Sequence, residues 1–207
     1  MKTALEPRKR PVQARSAASV DAILKATVQV LLRVGKERLT TTRVAERAGV
    51  SVGTLYQYFP NKSALLQAAL RQHLESMAEA TERVCRDYAG HSLAEMATAL
   101  VHGFLEAKMQ DAKTSVALYS VSSDVDGASI VHQLGGRSVD AIAAMLQTAR
   151  EPLGKDPQLA AQVVMSALAG VSRRLVESDD PEKHLGAMRE ELTAMVSAYL
   201  ERCAESQ

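Results

Sequence analysis

The residues with the most chemistry to offer lie between Thr41 and Lys62. Thr41-Thr42, Ser51-Val52-Gly53-Thr54, Tyr56-Gln57-Tyr58 and Lys62 gather hydroxyls, an amide and an ammonium into one short stretch. Hydroxyls and ammonium groups are phosphate partners, and a glutamine amide can pair with a base edge. Residues 49–53 also spell G-x-S-x-G, which in hydrolases carries a nucleophilic serine. That motif needs a strand before it and a helix after it. Here a helical pattern precedes it and no strand alternation persists, so Ser51 reads as a helix N-cap. The five histidines (His73, His91, His102, His132 and His184) show neither H-x3-H nor HExxH spacing. Cys85 and Cys203 stand too far apart for a metal pair, and two cysteines are too few for a disulfide framework. No glycine loop suited to cradling phosphate is present. The chain therefore reads as a non-enzyme, with no catalytic residue, metal ligand or cofactor.

The elements that must position those groups are helices. Val20, Ile23, Leu24, Val28, Leu31 and Leu32 form the stripe of a first helix expected to end at Gly35. A short helix capped by one of Thr40–Thr42 runs to Gly49, and a third starts at the Ser51 cap and stops at Pro60. A helix-turn-helix needs a small residue where its helices touch, a turn residue tolerant of positive φ, and an apolar anchor in the second helix. Ala45, Gly49 and Leu55 supply these over residues 41–60, with Val44, Ala48, Val50 and Phe59 filling the wedge. Asn61 or Ser63 then caps a long helix to about Tyr88. Further starts stand at the Ser92–Glu95 capping box, Asp156-Pro157 and Asp180-Pro181. Gly135-Gly136 reads as a break before a helix from about Ser138 to Arg150. The fold class is all-α, with about nine helices.

The run from Thr41 to Lys62, TTRVAERAGVSVGTLYQYFPNK, resembles the N-terminal signature of the tetracycline-repressor (TetR) family, over about 45 residues from Ala22 to Leu66. The resemblance implies a homodimeric transcriptional regulator, usually a repressor, released from a palindromic double-stranded DNA operator by a small-molecule effector. It also implies that Thr41 and Thr42 touch phosphate or a base. Ser51, Val52, Gly53, Thr54 and Gln57 would face the major groove, while Tyr56, Tyr58 and Lys62 clamp the backbone. Val52 departs from the polar or basic residue often found there, which admits a thymine-methyl contact.

Charge divides the chain in the same place. Residues 1–62 carry 12 Lys/Arg against 4 Asp/Glu, or +8, and residues 63–207 carry −7, a balance hidden by the net charge of +1. A basic head on an acidic body fits a polyanion partner for the head alone. Residues 1–15, with Lys2, Arg8, Lys9, Arg10 and Arg15, read as a flexible basic tail, with an arm that touches DNA phosphates or a minor groove as the alternative. Residues 16–62 read as the DNA-binding head and 63–207 as the ligand-binding and dimerisation body. No targeting segment is apparent, and the uncharged run Pro157–Ser172 is short and polar for a bilayer span. A cytoplasmic protein without a membrane partner is expected.

Within the body, His102, Phe104, Met109, Tyr119, His132, Met145 and Arg173 are the candidate cavity residues, since flexible Met suits irregular shapes and His or Tyr fixes polarity. Leu185, Met188, Leu192, Met195 and Tyr199 recur at steps of 3 and 4, and Val163, Ala167 and Gly170 give the preceding helix a small-residue stripe. These are the expected dimer interface, a four-helix contact between two copies. A nonspecific DNA-binding or partner-binding helical protein is the alternative; it would show a salt slope without sequence preference.

Overall fold

The computed structural model describes residues 10–204, with side chains from Ser16 onward. The terminal residues of the expected tail, Lys2, Arg8 and Lys9 among them, lie outside the described residues. The first helix, α1 (Arg10–Arg38), opens inside that expected tail. The remaining helices are α2 (Thr41–Ala48), α3 (Val52–Tyr58), α4 (Lys62–Asp87), α5 (Leu93–Gln110), α6 (Ala112–Val121), α7 (Gly127–Leu146), α8 (Pro157–Val176) and α9 (Pro181–Ala204), with a 3₁₀ turn at Ser122–Asp124. Among the described residues there are nine α-helices and no strand.

The punctuation signals act as their chemistry requires. The side chains of Thr40, Ser51, Asn61 and Ser92 each accept a backbone N–H three residues on, and Ser92 with Glu95 completes a reciprocal capping box. Asp156 caps α8 just before Pro157, and Asp180 accepts the Lys183 N–H at the start of α9. Gly35 adopts φ 73° as expected of a terminator, but α1 resumes beyond it to Arg38, so the glycine makes a kink. Gly135 and Gly136 do not break anything. They sit inside α7, which starts 11 residues before the expected Ser138. Two glycines cost helix propensity, but the buried stripe Ile130, Leu134, Ser138 and Ile142 holds the helix through them.

Two apolar cores result. One joins α1, α2, α3 and the first half of α4 to Leu118, Val121, Val125, Ile130 and Leu134. The other joins the second half of α4 to α5, the end of α7, α8 and α9. The head expected at residues 16–62 is thus seated on α6 and α7 rather than free-standing. Helix α8 is long and apolar enough to cross a membrane by length and composition, contrary to the sequence expectation, because it extends past Ser172 to Val176. Its apolar side packs on α5, α7 and α9, as a core helix would.

Candidate nucleic-acid interface and effector cavity

The α2–α3 pair has the geometry of a helix-turn-helix. Gly49 takes φ 69° and ψ 29°, a left-handed conformation suited to glycine, and its N–H closes α2. The Val50 N–H then donates to the Ala45 carbonyl at 3.0 Å, which folds the chain back. Val44, Ala45 and Leu55 are buried under the turn, and Phe59 seals its far end. Burial of these residues turns the opposite face outward. Ser51, Gly53, Tyr56 and Gln57 are exposed there, with Thr41 and Thr54 half-buried beside them.

Local bonds fix that face. The Thr54 N–H donates to Ser51 Oγ at 3.0 Å, and the two hydroxyls lie 2.8 Å apart. Thr41 Oγ1 lies 3.1 Å from Tyr56 Oη, linking α2 to α3 across the outer surface. A Cβ at Gly53 would meet only Ser51 Oγ, at 3.8 Å. Nothing inside the protein therefore demands glycine at 53, and its missing side chain leaves the first turn of α3 bare to a partner. Thr42 is exposed on α2.

Three expected contact residues sit differently. Val52 and Tyr58, at the two ends of the short α3, are half-buried against the head core. Lys62 donates to the Lys36 carbonyl at 2.7 Å, so its ammonium closes the end of α1 rather than standing free. Sequence reasoning also missed two arginines of the head. Arg43 donates to the Arg38 carbonyl at 2.6 Å, and Arg47 to Gln29 Oε1 at 2.6 Å, on a face shared by α1 and α2. Their charge was counted, but their placement depended on how α1 crosses α2.

At the boundary between the two cores lies a cavity of about 100 Å³. Leu74 and Met77 of α4, Phe104 and Lys108 of α5, Tyr119 of α6, Leu134 and Ser138 of α7 and Met165 of α8 line it. Of the seven expected cavity residues, Phe104 and Tyr119 are there. Arg173 lies beside it, 5.9 Å from the Tyr119 ring and bonded to Glu177. Met109 lines a wider, open groove of about 870 Å³ between α1, the α5–α6 junction and the α8–α9 link. His102 and His132 are exposed, and Met145 is part of the body core. They fail for one reason: each lies on a helix that lines the site or neighbours it, but on another side.

Lys108 was missed altogether. It is buried to 4% exposure, donates a hydrogen bond to Tyr119 Oη and lies 4.7 Å from the centre of that ring. A signal existed: Met96, Leu100, Phe104 and Lys108 follow at steps of four, so the lysine continues an apolar stripe. Nearby, His73 lies 2.9 Å from Ser115 Oγ. Burial, reinforced by the Lys108 charge and opposed by Asp111, lowers its pKa to about 4.

The expected interface residues divide. Val163 and Met195 are exposed large apolar residues at 42% and 49%, Gly170 is exposed, and Ala167, Leu185, Met188 and Tyr199 are half-buried. Leu192 is 2% exposed and belongs to the body core. The stripe that α9 turns inward is Leu192, Val196, Leu200 and Cys203, rotated from the seam read in the sequence. A 3-and-4 spacing marks an apolar face but cannot say which edge of it a neighbour covers.

Comparison with known proteins agrees with this geometry. Residues 23–69 match the tetR family of bacterial regulatory proteins, and residues 92–200 match the tetracyclin repressor-like C-terminal domain. The chain is 46% identical over 61 residues to the HTH-type transcriptional repressor KstR of Mycolicibacterium smegmatis, covering 30% of each protein. It is 30% identical over 118 residues to the HTH-type transcriptional regulator BetI of Serratia proteamaculans, covering 56% of this chain and 60% of that one. Less than two thirds of either relative's length is spanned. A TetR-family transcriptional regulator of Mesorhizobium loti MAFF303099 shares the fold with a TM-score of 0.74 at 18% identity, over 91% of this chain and 98% of that one. With the second of these family matches alone spanning more than half of its residues, the chain belongs to the TetR family of helix-turn-helix transcriptional regulators.

Proposed function

We propose that the protein is a homodimeric, ligand-responsive repressor that leaves a palindromic operator when a small molecule enters the cavity between its two cores. The observation that carries the first half is the exposed Ser51, Gly53, Tyr56 and Gln57 face of a formed helix-turn-helix, on the end of the chain that holds the +8 charge. Residues 16–62 read the DNA, and residues 63–207 take ligand and dimerise. Exposed Val163, Gly170 and Met195, with half-buried Ala167, Met188 and Tyr199, are the apolar face offered to a second copy. The protein works in the cytoplasm, where its operator is.

The mechanism is geometric. Helix α4 contributes Leu65, Leu66, Ala69 and Leu70 to the head core, Met77 and Cys85 to the body core, and Leu74 and Met77 to the cavity wall. A ligand that wedges the cavity open tilts α4 and carries the head with it. Half-sites of a palindrome lie about 34 Å apart, so a few Å of relative movement dismantles one set of contacts.

Selection of bound sequences from a random DNA pool, at near-physiological salt, tests this reading. A palindromic consensus with half-sites about one helical turn apart is the expected result. Binding without a consensus would overturn it in favour of nonspecific DNA packaging. On the recovered operator, Tyr56→Ala should weaken binding to every sequence, whereas Gln57→Ala should mainly relax preference at one base.

A further inference from the structure

Lys108 is the one charged residue buried outright among the described residues. Its ammonium has three N–H donors. One goes to the Tyr119 hydroxyl, and the ring face below gives weak cation–π support. No ion pair of the described residues reaches it. His73 cannot serve as counter-charge, since imidazole is neutral or cationic. Arg173, the other cation over the Tyr119 ring, is already paired with Glu177. The walls opposite are apolar: Leu74, Phe104, Leu134 and Met165.

A buried ammonium with spare donors and no counter-ion is unfavourable in the empty protein. The complement of one cation in an apolar chamber is a molecule with one anionic end and an apolar body. We infer that the effector is a short apolar monocarboxylate, its carboxylate bound by the Lys108 ammonium and the Tyr119 hydroxyl and its chain laid against Leu74, Phe104 and Met165. This rests on the regulator reading above and names the ligand class for it. The volume limits the size, because 100 Å³ is the share of about three waters. Little more than the carboxylate and its first carbons fits as it stands, and the flexible thioethers of Met77 and Met165 must give way for a chain the length of butanoate or hexanoate. A single lysine favours a monoanion over a phosphate ester, which would bury a second charge.

Calorimetry on the full chain tests this with butanoate, hexanoate, hexan-1-ol and hexylamine at fixed ionic strength. Both carboxylates are expected to bind, each added methylene tightening binding roughly fourfold until the cavity is full. Hexan-1-ol should bind at least roughly tenfold more weakly than hexanoate, and hexylamine not at all. In Lys108→Met the preference for hexanoate over hexan-1-ol should vanish. The readout is loss of hexanoate binding with hexan-1-ol binding kept, which general damage to the fold, weakening both, would not produce, and the wild-type series decides the matter even if the variant fails to fold. Absence of hexanoate binding, equal binding of the alcohol, preference for the amine, or an unchanged preference in Lys108→Met would each overturn the proposal. Hexanoate should also lower the wild-type affinity for the selected operator; binding without that effect overturns its role as effector. The two readings fail separately, because the selection of a palindrome uses no ligand. A consensus without a carboxylate response removes only the ligand class, whereas no consensus removes the regulator.

Discussion

The two cores of this protein meet on α4 yet are built from different side chains. Among the described residues the head core is Ile, Leu, Val and Ala with a single Phe, and no methionine is buried in it or packed against it. The body core holds Met77, Met96 and Met145, with Met109 and Met165 packed on its edge. Branched aliphatic side chains occupy few rotamers and fix the geometry of whatever they carry. Thioether chains have three rotatable bonds and refill a changed space at little cost. A head proposed to present Thr54, Tyr56 and Gln57 to DNA at fixed spacing needs the first kind. A body proposed to admit a ligand and report its arrival needs the second.

The sharpest way to break this comparison is to cut one core and then the other. Leu55→Ala empties a fully buried site at the anchor of α3 and should cost roughly 2–5 kcal/mol in thermal or urea unfolding at fixed protein concentration. Met96→Ala, also at a fully buried site but in the adaptable core, should cost less than Leu55→Ala, because neighbouring thioether chains refill part of the space. Comparable losses would mean that the body core is as rigid as the head. Both variants should unfold in one transition, because Leu118, Val121 and Leu134 tie the head to α6 and α7. Two resolved transitions for Leu55→Ala would sink that coupling.

Next in size is the titration of His73 at the boundary. Burial, with the Lys108 charge adding to it, lowers its pKa to about 4 against an ordinary 6.5. The folded state therefore binds the proton less readily than the unfolded one, and stability is lost as the pH falls from about 6.5 to about 4. The full effect is about 3 kcal/mol, and His73→Gln should flatten that limb of a stability-against-pH curve. A carboxylate beside Lys108 would cancel part of the repulsion, so the His73 pKa read by NMR should rise when hexanoate binds. An unmoved pKa would place the ligand elsewhere.

The difference between the cores also explains what could be read before the structure. The head was legible because its signals are local: Thr40, Ser51 and Asn61 caps, Gly49 in the turn, Leu55 six residues on. The body was legible as helices but not as a site. Phe104 and Tyr119 are on its wall and His102 and Met145 are not, although all four sit on helices that line it or neighbour it. What separates them is a rotation of each helix about its own axis, fixed by long-range packing. Lys108 hid for a different reason, since a lysine in an amphipathic helix is ordinarily assigned to solvent. Leu192 shows the converse, an apolar seam assigned to a partner while the chain used it for itself.

Lys108 itself marks where the body departs from the head, in which no charged residue is buried among the described residues. Lys108→Met fills nearly the same volume without the desolvated ammonium. It should raise the stability of the ligand-free protein by on the order of 1 kcal/mol. A lower melting midpoint would show that the lysine holds the fold together through Tyr119, making the buried charge structural.

The smallest effect is expected where head and body are joined by polar groups. Lys36 at the end of α1 pairs with Asp124 of the 3₁₀ turn, and the pairing holds the lysine above its usual pKa range. Within the head Lys62 closes on the Lys36 carbonyl, and from the head end of α4 Gln67 Nε2 donates to the Val125 carbonyl at 3.0 Å. These links surround the apolar contact of Val121 and Val125 with the head. The ion pair is more than a third exposed at both ends, at 38% and 39%, so water and salt screen it. Asp124→Asn should leave the melting midpoint within the scatter of replicates at physiological salt. A clear drop, larger at low salt, would mean that charge rather than the shared aliphatic core couples the reading head to the ligand cavity.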